Sequence, residues 1–230
     1  MGKISAGSYD LNNFLYGGYE TDIVTVLYGG SGTGKTNFCL LPAVSQARKG
    51  KKVIFIDTEG GFSVERVKQL VGDKDDYKEV LKNILLMKPT NFKEQQKAFE
   101  TLSEKLKDEI ALIIVDGLTM LYRLDFADAR KKSEREMQSV NSELVKQIKT
   151  LAEIARKKNI PVIVTNQVYR WEEVDKMVGG DILKYWGKCW IEIVNEKGRR
   201  TVYLRKHRSL PETSLTFQIW DGGVRKRGWI

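Results

Sequence analysis

Nearly unbroken apolar runs punctuate the first part of the chain: Ile23-Val24-Thr25-Val26-Leu27, Val53-Ile54-Phe55-Ile56, Ile84-Leu85-Leu86-Met87, Ala111-Leu112-Ile113-Ile114-Val115 and Pro161-Val162-Ile163-Val164. Short runs of this kind suit strands buried on both faces, as in parallel sheets. The segments between them are amphipathic. Phe38, Leu41, Val44 and Ala47 recur at helical spacing, as do Phe92, Gln95 or Gln96, Phe99, Leu102 and Leu106, and then Met137, Val140, Leu144, Ile148, Leu151 and Ala155. Ser63 to Arg66 opens a further helix with a capping pattern, and Asp75-Asp76 can start another. Alternating buried strands and amphipathic helices predict an α/β fold, with a mostly parallel central sheet flanked by helices.

Beyond residue 190 the period changes to two. Trp190 to Val194, Thr201 to Leu204 and Leu215 to Ile219 alternate apolar and polar positions, with turns at Gly198 and Pro211, and predict a C-terminal antiparallel extension of the sheet. Smaller signals fill the gaps. Ser8 or Asp10 caps a short helix, Gly17 to Asp22 reads as a turn, Gly50 stops the helix after the first strand, and Pro42 should bend that helix. Residues 124–135 read as a mixed-charge connection, and Val168 to Val178 as a polar loop before Gly179-Gly180. At 230 residues the chain is expected to form one domain, beginning at residue 1 with no helical domain before it.

The first strand runs straight into Gly29, Gly30, Ser31, Gly32, Thr33, Gly34, Lys35 and Thr36, which fit the phosphate-loop pattern G-x-x-x-x-G-K-[ST]. Glycines let backbone N–H groups close on a phosphate chain, Lys35 can reach its outer phosphates, and Thr36 offers a hydroxyl to Mg²⁺. This identifies a nucleoside triphosphate with Mg²⁺ as the expected ligands. Two further strand ends carry acids: Asp57-Thr58-Glu59 and Asp116. In α/β sheets the carboxyl ends of the strands form the ligand edge, so Asp116 is expected to hold the metal with Thr36. Asn166 and Gln167 end the strand from Pro161.

Composition narrows the partners. The net charge is +9, and residues 196–230 hold nine basic residues against three acidic ones, two-thirds of the excess. Such a surface favours polyanions. The run from Lys197 to Arg208 has no acid and holds Arg199, Arg200, Arg205, Lys206 and Arg208 with Tyr203 among them, and Arg170 lies in the polar loop. These are the candidate contacts to a polyanion; the same run reads equally as a solvated hairpin. Cys39 and Cys189, far apart in apolar segments, read as buried thiols rather than a disulfide or zinc site. His207, the one histidine, reads as a surface contact within the basic run. No apolar run reaches the roughly 20 residues of a membrane span, and the N-terminus lacks a signal-peptide core, so a cytoplasmic protein is expected.

With these pieces in place the chain resembles the catalytic core of the RecA and RadA recombinases, and among them the short archaeal RadB family. The resemblance rests on Leu11 to Thr21, Gly29 to Thr36, Ile56-Asp57-Thr58-Glu59-Gly60, Ser63 to Arg66, Leu112 to Asp116 and Thr165-Asn166-Gln167-Val168. It implies a RecA-like core in which Glu59 aligns or deprotonates the attacking water, Gln167 senses the γ-phosphate, and Arg66 stacks on the adenine. From the residues alone, Glu59 reads also as a surface carboxylate, Gln167 as a structural amide and Arg66 as a solvated helix arginine. The family's glycines are missing from Asp125 to Arg135, and Val168 to Val178 is short and of mixed charge. The resemblance therefore implies a weak, nucleoid-associated ATPase that binds DNA and assists repair and recombination with little strand exchange, as a possible homo-oligomer, with the basic run and Arg170 contacting DNA or the run approaching a neighbouring subunit's nucleotide. The alternative is an ATP-switched adaptor whose main ligand is a recombinase or a Holliday junction resolvase.

Overall fold

The computed structural model describes residues 2–74, 76–102, 106, 110–171, 174–177 and 180–228. At the N-terminus, β1 (Lys3–Ile4) and β2 (Tyr19–Glu20) pair antiparallel around α1 (Tyr9–Phe14), whose N-cap is Ser8. The expected turn at Gly17 to Asp22 therefore includes a short strand. Then come β3 (Val24–Gly29), α2 (Lys35–Ala47), β4 (Lys52–Asp57), α3 (Val64–Val71), α4 (Tyr77–Lys82), β5 (Ile84–Met87), α5 (Phe92–Glu100) and β6 (Ile110–Asp116). Helices α6 (Met120–Lys132) and α7 (Glu134–Lys158) lead to β7 (Val162–Trp171), β8 (Val174–Met177) and α8 (Gly180–Trp186). The chain closes with β9 (Gly187–Glu196), β10 (Arg199–Lys206), β11 (Thr213–Trp220) and β12 (Gly223–Lys226).

One sheet takes the order β12-β11-β10-β9-β3-β7-β6-β4-β5, with β8 added antiparallel to β7. Its β5-β4-β6-β7-β3-β9 stretch is parallel and the β9-β10-β11-β12 stretch antiparallel, as the two sequence periods require. The all-apolar strands are explained by two cores. Phe55, Leu112, Ile114 and Ile163 face one with Phe38 and Leu41 of α2; Ile54, Ile56, Ile113, Val115, Val162 and Val164 face the other with Leu144, Ile148 and Leu151 of α7. Alternate residues of a strand point to opposite faces, so a strand covered on both sides is apolar throughout.

The structure departs from the sequence reading in three places. Residues 124–132 are helical, not a connection: Leu121, Tyr122 and Ala129 of α6 are buried, Phe126 packs beside them, and the only break before α7 is Ser133, extended and accepting from the Glu136 N–H as N-cap. Val168 to Val178 falls partly on residues outside the description, but the described part is a hairpin of β7 and β8.

His207 is the third departure. Its side chain is only 4% exposed, with Nε2 3.3 Å from Glu20 Oε2. Nδ1 accepts from the N–H groups of Ser209, 3.1 Å away, and Leu210, 3.2 Å away, so the proton sits on Nε2 and the neutral ring closes the turn leaving β10. Burial lowers its pKa, helped by Lys3 and Arg208 and opposed by Glu20. A base with a lowered folded pKa binds protons more readily when unfolded, so stability is lost as pH falls below about 6.5 towards the folded value. His207→Asn keeps an acceptor for the turn but cannot take up that proton. It should flatten this part of the pH dependence, measurable as the shift in urea midpoint between about pH 7.5 and pH 5.5.

Candidate functional site

The ligand edge gathers residues from four neighbouring strands. Between β3 and α2 the phosphate loop curls against β9, and a Cβ at Gly29 would lie 2.1 Å from the Ile193 carbonyl, so only glycine fits there. Helix α2 starts at Lys35, and no side chain caps the N–H groups of its first turn. Lys35 is buried; its Nζ donates to Gly29 O at 3.1 Å and Gly30 O at 2.8 Å. Burial lowers its pKa, while Glu59 and Asp116 oppose the shift. The ammonium is thus held at the mouth of the loop by two of the loop's own carbonyls.

Asp116, at the end of β6, is 1% exposed. Its Oδ2 accepts from Thr36 Oγ1 at 2.7 Å and its Oδ1 from Thr165 Oγ1 at 2.7 Å, and the Thr165 hydroxyl in turn accepts from the Gly117 N–H at 2.7 Å. Burial raises the carboxyl's pKa, with the two hydroxyls pulling it down and Glu59 and Asp57 adding to the rise. A cation bound here would relieve that cost. Gly61 backs closely onto these oxygens: a Cβ there would come within 3.1 Å of Thr36 Oγ1 and 3.6 Å of Asp116 Oδ2, so the glycine keeps a side chain off them. A hydroxyl and a carboxylate side by side form a hard oxygen donor set of the kind Mg²⁺ takes.

Glu59 stands exposed on the turn after β4, and its Oε2 accepts from Gln167 Nε2 at 3.0 Å. The structure therefore joins the two residues, 108 positions apart, that the sequence reading assigned to water and γ-phosphate. Two supports escaped that reading. Asp57 is buried and turned inward, accepting from the N–H groups of Gly61 at 3.1 Å and Phe62 at 3.0 Å, so it shapes the turn that carries Glu59. Thr165 holds Asp116; its hydroxyl within an otherwise apolar strand was the available signal. Neighbouring Asn166 accepts from Thr119 Oγ1 at 2.6 Å.

Arg66 of α3 reaches the C-terminal hairpin. Its Nε donates to Asn37 Oδ1 at 2.8 Å, and its terminal nitrogens donate to Trp220 O at 2.9 Å and Asp221 O at 3.2 Å.

The basic run divides. Arg205 is bound to Glu192 at 2.6 Å, and Arg208 to Asp22 at 2.6 Å and Glu20 at 3.0 Å. Arg200 is half-buried, on the same face as Val202 and Leu204, with its Nε lacking a hydrogen bond among the described residues. Arg199 and Lys206 are exposed. Of Arg170 the structure describes only the backbone, in β7 opposite Asp175.

Comparison with known proteins decides the family. The Rad51 family model matches residues 1–227. The chain belongs to the Rad51 family. Among its relatives, the DNA repair and recombination protein RadB of Methanobrevibacter smithii is 39% identical over 225 residues, covering 93% of this chain and 92% of that one. RadB of Methanocaldococcus jannaschii is 37% identical over 214 residues, covering 93% and 98%. A crystal structure of the RadB recombinase superposes with a TM-score of 0.81 at 32% identity, covering 98% of this chain and all of that one. The fold is thus the RecA-like one, and in this Rad51-family chain the phosphate loop, Asp116, Glu59 and Gln167 share one edge. Among the described residues no helix is long and apolar enough to cross a membrane.

Thr165→Val should keep the fold but strip both hydrogen bonds of that hydroxyl from buried groups. A loss of roughly 1–3 kcal/mol is expected, read from urea unfolding.

Proposed function

We propose that this protein is an ATP-binding, weakly hydrolysing DNA-binding protein that assists repair and recombination, as a single RecA-like core in the cytoplasm associated with the nucleoid. The observation that carries the reading is the meeting of Thr36 with Asp116 at 2.7 Å and of Gln167 with Glu59 at 3.0 Å beside the buried Lys35. Lys35 and the loop N–H groups hold the triphosphate, and Thr36 and Asp116 hold Mg²⁺. When bound, the metal neutralises charge on the phosphate oxygens. Glu59 orients the attacking water and Gln167 restrains the Glu59 carboxylate. The family supports a repair role and DNA as partner, and the net charge of +9 supports a polyanionic ligand. The same surface leaves a recombinase or a Holliday junction resolvase as protein partners, and self-association as a further property.

Lys35→Ala should remain folded and lose the rise in melting temperature that Mg-ATP gives the native protein, worth about 2.7 kcal/mol at a hundredfold excess over Kd. An undiminished rise would overturn the assignment. Glu59→Gln should keep that rise while phosphate release falls roughly a hundredfold, as loss of a general base predicts.

A further inference from the structure

The antiparallel strands β9 to β12 have two unlike faces. Ile191, Ile193, Val202, Leu204, Phe217 and Val224 are buried in the core shared with α1 and α2. Alternation places Val194, Thr201, Tyr203, Thr216, Gln218 and Trp220 on the opposite face, all half-buried or exposed. The strand register lines them up: Val194 pairs with Thr201 and Thr201 with Thr216, while Glu192 pairs with Tyr203 and Tyr203 with Ser214. The result is a flat, polar sheet surface with aromatic rings set into it.

Each of those rings carries a guanidinium. Arg205, at the bulge between Leu204 and Lys206, lies 4.2 Å from the centre of the Tyr203 ring and is steadied by Glu192. Arg225 lies 4.9 Å from the Trp220 ring, which is 46% exposed. Beside them a groove of about 710 Å³ opens between Lys197, Arg199, Lys226 and Arg227, over Ser214 and Thr216. Its described lining includes no acidic side chain. Arg227 is held there by its N–H bond to Thr216 O at 3.0 Å.

Cations in a groove attract a phosphate backbone, and flat π surfaces capped by guanidinium planes take the faces of bases. A duplex satisfies only the first of these, because its base faces are already stacked on one another. We propose that the open face of β9 to β12 binds single-stranded nucleic acid, with phosphates in the Lys197–Arg227 groove and bases stacked at Tyr203–Arg205 and Trp220–Arg225. This rests on the DNA-binding reading above and adds the strand class and the surface. It also separates the groups of the basic run: Arg199 serves the site directly, Arg205 serves it as a stacking plane, and Arg225 and Arg227 join them, whereas Arg200 and Arg208 lie elsewhere.

Fluorescence anisotropy with labelled oligothymidine and with a duplex of the same length tests it on the full chain. The native protein should prefer the single strand. Tyr203→Leu with Trp220→Leu should weaken single-strand binding roughly tenfold or more and leave duplex binding unchanged. Charge reversal of Arg199, Arg225 and Arg227 should weaken both and flatten the salt dependence by about 0.7 per lost phosphate contact on the single strand. Both variants should keep the Mg-ATP-induced rise in melting temperature, which reports an intact fold. Equal affinity for the two DNA forms, or unchanged oligonucleotide binding in both variants, would overturn the platform while leaving DNA binding in place; the latter result is the one a protein-docking surface gives. Failure of the native protein to bind either DNA would overturn the DNA-binding reading itself.

Discussion

The ligand edge depends on one buried carboxylate. Asp116 sits at 1% exposure between two threonine hydroxyls, one from the first turn of α2 and one from β7, and through Thr165 it also reaches the Gly117 N–H. An ionised carboxylate in such a place is stable only when its oxygens are satisfied, and each satisfying group comes from a different element. The hydrogen bonds that solvate Asp116 therefore also fix the phosphate-loop helix, β6 and β7 relative to one another. Binding a cation would use the same oxygens, so the geometry of the fold and the chemistry of the site draw on the same atoms.

A second constraint comes from the antiparallel end of the sheet. The β9 backbone closes on Gly29, where the Ile193 carbonyl leaves no room for a side chain, and Ile219 of β11 would stand 3.0 Å from a Cβ on Gly34. Arg66 ties α3 to the carbonyls of Trp220 and Asp221 in the hairpin between β11 and β12. The strands that look in sequence like an appendage therefore brace the phosphate loop from one side. Their packed face belongs to the same core as α2, and their other face is the one offered to a ligand.

Much of this was legible in advance because it is local. Unbroken apolar runs marked the parallel strands, the switch to period two marked the antiparallel ones, and the phosphate loop announced itself by glycines, lysine and threonine at fixed spacing. Helix α6 was misjudged because its charged surface hides a narrow buried stripe of Leu121, Tyr122 and Ala129, too sparse to show as a period. His207 was misjudged because its neighbours in sequence are basic and exposed, whereas burial decides its state, and the fold sets it against Glu20, 187 positions away.

The sequence alone thus determined the order of the main parallel and antiparallel strands, the family resemblance and the identity of the phosphate-loop motif, since each is written in neighbouring residues and their spacing. Only the tertiary structure decided which distant groups meet. It brought Gln167 onto Glu59, turned Asp57 inward to shape the turn, gave Asp116 its second threonine, tied Arg208 to Asp22 and Glu20, and laid Arg205, itself paired with Glu192, on the Tyr203 ring. The reason is physical: charge and hydrogen bonding act over a few ångströms through space, and the folding of a parallel sheet, not the spacing along the chain, sets what lies within that reach.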